Sequence, residues 1–332
     1  MSASIGQVVR GPRGRTRLVT AVMAGALTLG LVACGSDSDE AAGSGEPVTI
    51  THTQGQTTIN GTPKRIVALG NQWLDTAQSL GVTPVGYVDN VAILSKTQPP
   101  WEPESLKSAK SLDTTGNLAE QVAALNPDLI LVDTFIADAK TYGDMSKIAP
   151  TVPGLNKATV TPWSDQVRAL GKILHATDKA DKVIADLDAR IDGIAQRNPG
   201  LKGKTFLSTW LGGPSQLMVL TDPNDGSSQV FTQLGMTIPK HLTEQSGSSG
   251  GRLSLSPERV DELDSDFLIA GYSPGQDEKY RQLPGYADLP AVKKNAVAFL
   301  TVLDITAINQ PTPLALPYIL DKIEPTLANA AK

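Results

Sequence analysis

Cysteine is almost absent from this chain, and its scarcity limits how the fold can be stabilised. Cys34 is the only cysteine among the 332 residues. A single cysteine cannot form an intramolecular disulfide, so the fold must depend on a buried hydrophobic core rather than on covalent cross-links. The length is ample for such a core and suggests two lobes rather than one.

Histidine is also scarce, which argues against a metal ion bound directly by the protein. His52, His175 and His241 are far apart in the sequence. A zinc or manganese carrier would be expected to bring several histidine and carboxylate ligands together on the ion. We therefore predict no metal ligands, and we expect His175 to lie inside an amphipathic helix with a structural role.

The common catalytic motifs are missing as well. The sequence contains no nucleophile elbow, P-loop, dinucleotide fingerprint or metalloprotease helix. The glycine-rich segment 246–251 precedes no P-loop lysine, so it is interpreted as a loop. These absences favour a binding protein over an enzyme.

A long apolar run occurs only near the N-terminus. Four arginines, the last of them Arg17, precede the uncharged segment Leu18–Ala33. This segment is shorter than the roughly 20 residues of a membrane-spanning helix, and its basic start is typical of a secretory signal. Its end, Leu31-Val32-Ala33-Cys34, resembles the lipobox of bacterial lipoproteins. The alternatives are an uncleaved anchor helix or a small buried cysteine in a signal peptide.

The lipobox resemblance implies an ordered set of N-terminal segments. Residues 1–33 would be the signal peptide, and cleavage would leave a lipidated Cys34 at the new N-terminus. Residues 34–46, rich in glycine, serine and acids, would be a flexible tether. The protein would then be lipid-anchored on the extracytoplasmic face of the cell membrane.

The predicted mature chain is acidic. The leader contains four of the 29 basic residues and none of the 34 acidic residues, so the net charge after cleavage is 25 − 34 = −9. Such a charge argues against nucleic acid as a partner.

Strand and helix patterns alternate along the rest of the chain. A strand is predicted at 65–69, a helix at 73–80, a buried strand at 129–132 and further helices at 164–174 and 313–328. This alternation predicts an α/β protein with parallel sheets covered on both faces.

One long amphipathic segment lies near the middle of the mature chain. Apolar residues recur at helical spacing in 178–197, with Leu187 and Ile191 near its centre. We interpret it as a connector helix at 178–198 between an N-terminal lobe at 47–177 and a C-terminal lobe at 199–332. The alternative is an ordinary surface helix of one domain.

An internal repeat supports two lobes. Glu120, Val122, Leu125 and Asp128 precede an apolar run, and Glu258, Val260, Leu263 and Asp266 do so with identical spacing. The two copies lie on opposite sides of the long helix, which favours duplication of a helix–strand unit.

These segments, in this order, resemble the substrate-binding lipoproteins of iron–siderophore ABC importers. The similarity extends from about Val48 to Leu327 and includes the segments Pro63–Val67, Leu80–Gly86, Pro127–Ile130 and Leu289–Val292. The resemblance implies two Rossmann-like α/β lobes joined by a single long α-helix. It also implies capture of a ferric siderophore and delivery to an ABC permease with a cytoplasmic ATPase.

The resemblance assigns a role to the two repeated glutamates. In this family, one acidic residue on each lobe docks into arginine pockets of the permease. Glu120 and Glu258 occupy the matching positions, with Glu262 as a nearby competitor for the second. The alternative is that each glutamate only stabilises the first turn of its helix.

The ligand site is expected between the lobes, because ligands of parallel sheets bind beyond the carboxyl ends of the strands. Aromatic residues make up only 5% of the chain, yet several fall at such strand ends. The candidate ligand-binding residues are Trp73, Trp101, Phe135, Trp210, Tyr272 and Arg252.

Charge guides the choice of ligand. Catecholate chelates of iron carry a large negative charge, and Arg252 and Lys96 are the best candidate cations near the strand ends. Since the strand ends offer almost no arginine or lysine, we expect a near-neutral chelate, such as a hydroxamate or a lipid-tailed mixed type, bound by a monomer. Haem, with His241 or Tyr272 as ligand, and cobalamin are the alternatives within the fold, and a cell-envelope scaffold or sensor is the alternative outside transport.

Overall fold

The computed structural model describes residues 45–213, 216–245 and 249–332, all within one compact unit. The predicted signal peptide, Cys34 and all but the last two residues of the tether lie outside the described residues. Within the described ranges, no helix combines the length and the apolar character that crossing a membrane requires.

The N-terminal lobe is built on a parallel sheet of five strands in the order β5-β4-β3-β6-β7. The two central strands are buried along their whole length, as expected for a sheet covered on both faces. The strands are β3 (Ile66–Leu69), β4 (Gly86–Val88), β5 (Lys110–Ser111), β6 (Leu129–Val132) and β7 (Thr151–Val152). An antiparallel hairpin of β1 (Val48–His52) and β2 (Gly55–Ile59) precedes them.

Helices follow the strands of this lobe. They are α1 (Asn71–Ser79), α2 (Asn90–Ser95), α3 (Leu118–Ala123), α4 (Ala139–Met145) and α5 (Trp163–Ile173), with a 3₁₀ helix at Glu104–Ser108. Helix α1 begins directly after the central strand, because Gly70 turns the chain with a φ of 117°.

The C-terminal lobe also contains a five-stranded sheet, in the order β10-β9-β8-β11-β12. Its strands are β8 (Phe206–Gly213), β9 (Gln216–Leu220), β10 (Arg252–Leu255), β11 (Phe267–Tyr272) and β12 (Val297–Leu300). Strands β8, β11 and β12 are parallel, as predicted, whereas β9 and β10 are antiparallel to their neighbours. The sequence pattern did not predict these two strands.

The helices of the C-terminal lobe are mostly short. They are α7 (Gln229–Gln233), α8 (Lys240–Thr243), α9 (Asp277–Arg281), α10 (Pro290–Lys293), α11 (Val302–Asn309) and α12 (Ala315–Ala330). The 3₁₀ helices are Pro199–Leu201, Gly226–Ser228, Pro257–Leu263 and Tyr286–Asp288.

Helix α6 (Thr177–Arg197) links the two lobes. At its start, Lys179 donates to the carbonyl of Leu80 in the N-terminal lobe, with Nζ and O 2.8 Å apart. At its end, Arg197 forms a two-point ion pair with Glu324 of α12 at 2.7 and 3.1 Å. The predicted architecture of two α/β lobes joined by one long helix is confirmed.

The duplicated unit has the same structural role in both lobes. The Asp128 carboxylate accepts from the backbone N–H groups of Lys64 and Arg65, at 2.7 and 2.8 Å, just before β3. The Asp266 carboxylate accepts from the backbone N–H of Thr205, at 3.1 Å, just before β8. Each aspartate therefore fixes the start of the strand that comes first along the chain in the five-stranded sheet of its lobe.

The position predicted for His175 is wrong. It lies in the turn between α5 and α6, is exposed, and has a φ of 52°. The turn separates the two helices that the sequence pattern predicts at 164–174 and 178–198, so His175 lies in neither of them.

Candidate functional site

The two lobes contact each other beside the carboxyl ends of their strands. Helix α2 of the N-terminal lobe packs against α11 of the C-terminal lobe. The ring of Trp101 lies on that of Tyr318 in α12, with centroids 5.2 Å apart. The buried Asp75 carboxylate accepts from Trp101 Nε1 at 3.1 Å and from Thr312 Oγ1 at 2.5 Å.

Three adjoining cavities open along the C-terminal side of this contact. Two have volumes of about 410 Å³ and the third about 240 Å³. The first shares Pro274 and Val302 with the second, and Trp210 and Asn309 with the third. Leu94, Ser95 and Thr97 of the N-terminal lobe complete the first two, so these two cavities lie between the lobes. The third is lined by the C-terminal lobe alone.

A further cavity of about 440 Å³ lies on the other side of α2 and is lined by the N-terminal lobe alone. Its polar lining includes Tyr87, Asp89, Glu102 and Lys107. Burial, with the nearby negative charge of Asp89, raises the pKa of Glu102. This cavity is separate from the set between the lobes.

The structure brings three of the predicted ligand-binding residues together. Trp210 lines the first and third cavities, Tyr272 lines the second, and Arg252 lines the third. Trp210 and Tyr272 lie near the ends of the parallel strands β8 and β11, which pair side by side. Both residues lie near strand ends, as the sequence analysis expected, and their role in ligand binding stays a prediction.

The other three predicted residues lie elsewhere. Trp73 is completely buried in the hydrophobic core, so its ring has no surface exposed to a ligand in this structure. Trp101 is engaged by Asp75 and Tyr318. Phe135, which follows β6, is 52% exposed.

Sequence reasoning missed the contribution of α2. Leu94 is 58% exposed and lines the first cavity, and Ser95 and Thr97 line the second. These residues follow β4, whose carboxyl end the sequence analysis did not use. The strand-end rule that located Trp210 would also have located α2.

Both cations that line the three adjoining cavities are paired with a buried carboxylate. Arg252 binds both carboxylate oxygens of Asp225, at 3.0 and 3.1 Å. Lys322 donates to Asp304 at 2.6 Å. Burial alone would raise the pKa of Asp304, but donors including Lys322 and Thr301 hold it below its usual value. Lys96, at the exposed end of α2, forms no ion pair with the described residues.

Two buried aspartates lie beneath the contact between the lobes. Burial raises the pKa of Asp75 to about 7 against the hydrogen bonds from Thr312 and Trp101, and the charges of Asp89 and Asp133 add to the rise. Burial likewise raises the pKa of Asp133 to about 7, although it accepts from the backbone N–H groups of Gln72 and Trp73. The junction therefore contains carboxylates that titrate near neutral pH.

The two repeated glutamates are exposed, one on each lobe. Glu120 lies in the first turn of α3, and Glu258 lies in the first turn of the 3₁₀ helix Pro257–Leu263. Neither carboxylate forms a hydrogen bond or an ion pair with a side chain of the described ranges. Glu262, by contrast, accepts from Arg259 and from Gln245.

The histidines stay apart in the fold. His52 lies on β1, His241 lies on α8 with Nε2 2.9 Å from the carbonyl of Glu262, and His175 lies in the turn before α6. None of the three lines the cavities between the lobes. The described ranges contain no cluster of three metal-ligating side chains.

Comparison with curated proteins finds relatives that bind iron chelates. The chain is 27% identical over 260 residues to YhfQ of Bacillus subtilis, a putative ABC transporter substrate-binding lipoprotein, covering 76% of this chain and 77% of the relative. It is also 27% identical to FhuD of Bacillus subtilis, an iron(3+)-hydroxamate-binding protein, covering 85% of this chain and 89% of the relative.

Solved structures extend the similarity to the fold. PiaA of Streptococcus pneumoniae in complex with ferrichrome superposes with a TM-score of 0.72 and 27% identity, covering 85% of this chain and 98% of PiaA. The family model described as periplasmic binding protein matches residues 66–302, which is most of the chain and includes both sheets. Members of this family are carriers, in agreement with the prediction of a binding protein rather than an enzyme. The chain therefore belongs to the periplasmic binding protein family.

Proposed function

We propose that this protein binds a ferric siderophore in the cavities between its lobes and delivers it to an ABC permease with a cytoplasmic ATPase. The observation that carries the proposal is the set of three adjoining cavities at the strand ends, two of which are lined by both lobes. The relatives named above as iron-chelate binders support it, because their similarity covers most of both chains.

The cavity lining supports a chelate with little net charge. Its two cations are each paired with a buried carboxylate, and the rest of the lining is neutral, with the aromatic rings of Trp210, Tyr272 and Tyr318. A ferric trihydroxamate has no net charge on its iron centre, whereas a ferric tris-catecholate is strongly anionic. The preferred ligand class is therefore a ferric hydroxamate.

Trp210 and Tyr272 are the proposed ligand contacts on the C-terminal lobe, with Arg252 beside them in the third cavity. Leu94 and the exposed Phe135 are the proposed apolar contacts on the N-terminal lobe. Trp101 has a different proposed role, because it already joins the lobes through Asp75 and Tyr318. Trp73 supports the site from the core.

Glu120 and Glu258 are the proposed docking residues for the permease. Their carboxylates are free of partners among the described residues, so each is available for a two-point hydrogen bond with an arginine. Glu262 is the weaker candidate, because it is already paired with Arg259. The connector helix fixes the separation of the two lobes and hence of the two glutamates.

The N-terminal predictions complete the proposal. Residues 1–33 would direct export, lipid on Cys34 would anchor the protein, and residues 34–46 would tether it near its permease. The naming of the relative YhfQ as a lipoprotein supports this assignment. Tethering raises the effective concentration of the carrier at the permease, and the functional unit is proposed to be a monomer.

Tryptophan fluorescence titration tests the ligand class, because Trp210 lines the cavities. Ferrichrome, a ferric tris-catecholate and haemin are the probes. Saturable quenching by ferrichrome at micromolar concentration or below is expected. Quenching by haemin alone would instead favour a haem carrier with Tyr272 as ligand, and no quenching by any probe would favour a cell-envelope scaffold or sensor.

A further inference from the structure

Arg252 lines the third cavity but has little capacity left to bind a ligand. Its Nη1 donates to Asp225 Oδ2 at 3.0 Å and to the carbonyl of Gly250 at 3.1 Å. Its Nη2 donates to Asp225 Oδ1 at 3.1 Å and to Ser227 Oγ at 2.8 Å. All four terminal N–H groups of the guanidinium are therefore occupied, and only the Nε–H remains.

Asp225 is fixed as firmly as the arginine that it binds. Its side chain is 1% exposed and that of Arg252 is 21% exposed. The same carboxylate accepts from the backbone N–H of Val160 at 3.1 Å and of Ser227 at 2.9 Å. A buried carboxylate with this many donors holds its partner in one geometry, and the pair is weakly screened by solvent.

The pairing changes what the cavity offers to a ligand. A free arginine in a partly buried cavity would attract an anionic chelate and would offer it a two-point hydrogen bond. The paired Arg252 presents almost no net charge and no free fork of donors. Lys322 in the second cavity is likewise paired with Asp304. The side chain of Asp304 is 2% exposed and that of Lys322 is 44% exposed.

We infer that Asp225 is a specificity-determining residue that neutralises Arg252 and so makes the cleft select uncharged ferric chelates over anionic ones. This inference rests on the proposed function. Asp225 does not contact the ligand itself and acts through Arg252.

The test uses Asp225→Asn, which keeps the shape of the side chain and removes its charge. Affinities of the purified protein are measured for neutral ferrichrome and for an anionic ferric tris-catecholate at two salt concentrations. We expect the anionic chelate to bind at least tenfold more tightly to the variant, with a gain that shrinks at high salt, and ferrichrome to change less than threefold.

Two control variants separate charge from other effects. Asp222→Asn removes a partly exposed carboxylate of the same loop without releasing Arg252, so it should leave both affinities unchanged. The double variant Asp225→Asn with Arg252→Gln has no charge on either residue. It should therefore show the wild-type ratio of affinities for the neutral and the anionic chelate.

If Asp225→Asn fails to fold, Arg252→Gln tests the same idea with opposite sign. The unpaired Asp225 should then favour a cationic chelate. The affinity for ferrioxamine B, which carries a free ammonium group, should therefore rise several-fold relative to the affinity for ferrichrome. An unchanged preference in a folded variant overturns the inference, whereas a wild-type protein that binds no ferrichrome overturns the proposed function instead.

Discussion

At the scale of single residues, Gly70 occupies a position that combines a positive φ with no room for a side chain. Its φ is 117°, and a Cβ at this position would collide with the carboxyl group of Asp133. That carboxyl group holds the first turn of α1. Substitution therefore strains the backbone and displaces a helix that supports the contact between the lobes.

We predict that Gly70→Ala lowers the free energy of unfolding by more than the about 1–3 kcal/mol of the backbone strain alone. Gly55→Ala is the matched control, because Gly55 has a φ of 123° and no atom within 4 Å of an added Cβ. Chemical denaturation measures both. Equal losses in the two variants would show that Asp133 tolerates the added methyl group.

The buried Asp75 makes stability depend on pH. Its pKa in the folded protein is about 7, above the ordinary value, so the folded state binds a proton that the unfolded state releases. The free energy of unfolding should therefore be highest below the unfolded pKa and should fall as pH rises toward 7.

Between pH 5.5 and pH 8, we predict that the free energy of unfolding falls by roughly 2 kcal/mol more in the wild type than in Asp75→Asn. Denaturation at both pH values measures the difference. Asp133 titrates in the same pH range. Both proteins contain it, so both should show the change of unfolding free energy with pH that it causes. Parallel pH profiles would contradict the assignment to Asp75.

The position of a residue in the fold was predictable where it lies at the end of a strand, and less so where it depends on packing. Trp210 and Tyr272 were located by this rule. Trp73 also follows a strand, but the helical turn that begins at Asn71 directs its ring into the core. The partner of Arg252 was not predictable, because Asp225 lies 27 residues away on another loop.

At the scale of elements, helix α6 is the part of the fold that the sequence indicated most clearly. The predicted connector, 178–198, differs by one residue at each end from the observed Thr177–Arg197. Of the large apolar residues Val183, Ile184, Leu187, Ile191 and Ile194 in this segment, all but Val183 are buried. A period of 3.6 residues over this length is a strong signal, because it is repeated over several turns.

A proline in the exposed face of α6 should weaken the link between the lobes. We predict that Ala185→Pro lowers the free energy of unfolding by about 3 kcal/mol or more, because it removes a hydrogen bond and clashes with the preceding turn. Ala185→Gly should cost only about 1 kcal/mol. Thermal unfolding measures both, and equal small effects would mean that α6 does not need to be continuous.

The antiparallel strands β9 and β10 show what sequence patterns left out. Strand β9 pairs with β8 across a short connection, and β10 pairs with β9 only after the long segment that contains Asp225 and α7. Strand pairing across such a segment depends on tertiary contacts rather than on local pattern. The result is a sheet edge that brings Arg252 to the third cavity.

At the scale of the whole molecule, the two lobes present one exposed glutamate each at duplicated positions. If these residues dock the permease, charge reversal at both should abolish uptake of iron from ferrichrome in cells and leave binding by the purified protein unchanged. Glu104→Lys with Glu244→Lys is the matched control, because it reverses one exposed glutamate per lobe elsewhere. Normal uptake by the Glu120→Lys, Glu258→Lys protein would remove the docking assignment.

The central claim is that an uncharged ferric hydroxamate binds between the lobes, and calorimetric titration of the purified protein with ferrichrome tests it most directly. The account predicts one ligand per chain, a dissociation constant at or below about 1 μM, and a loss of at least tenfold in Trp210→Ala, which corresponds to about 1.4 kcal/mol. No heat of binding at micromolar concentration, or full affinity in Trp210→Ala, would contradict it.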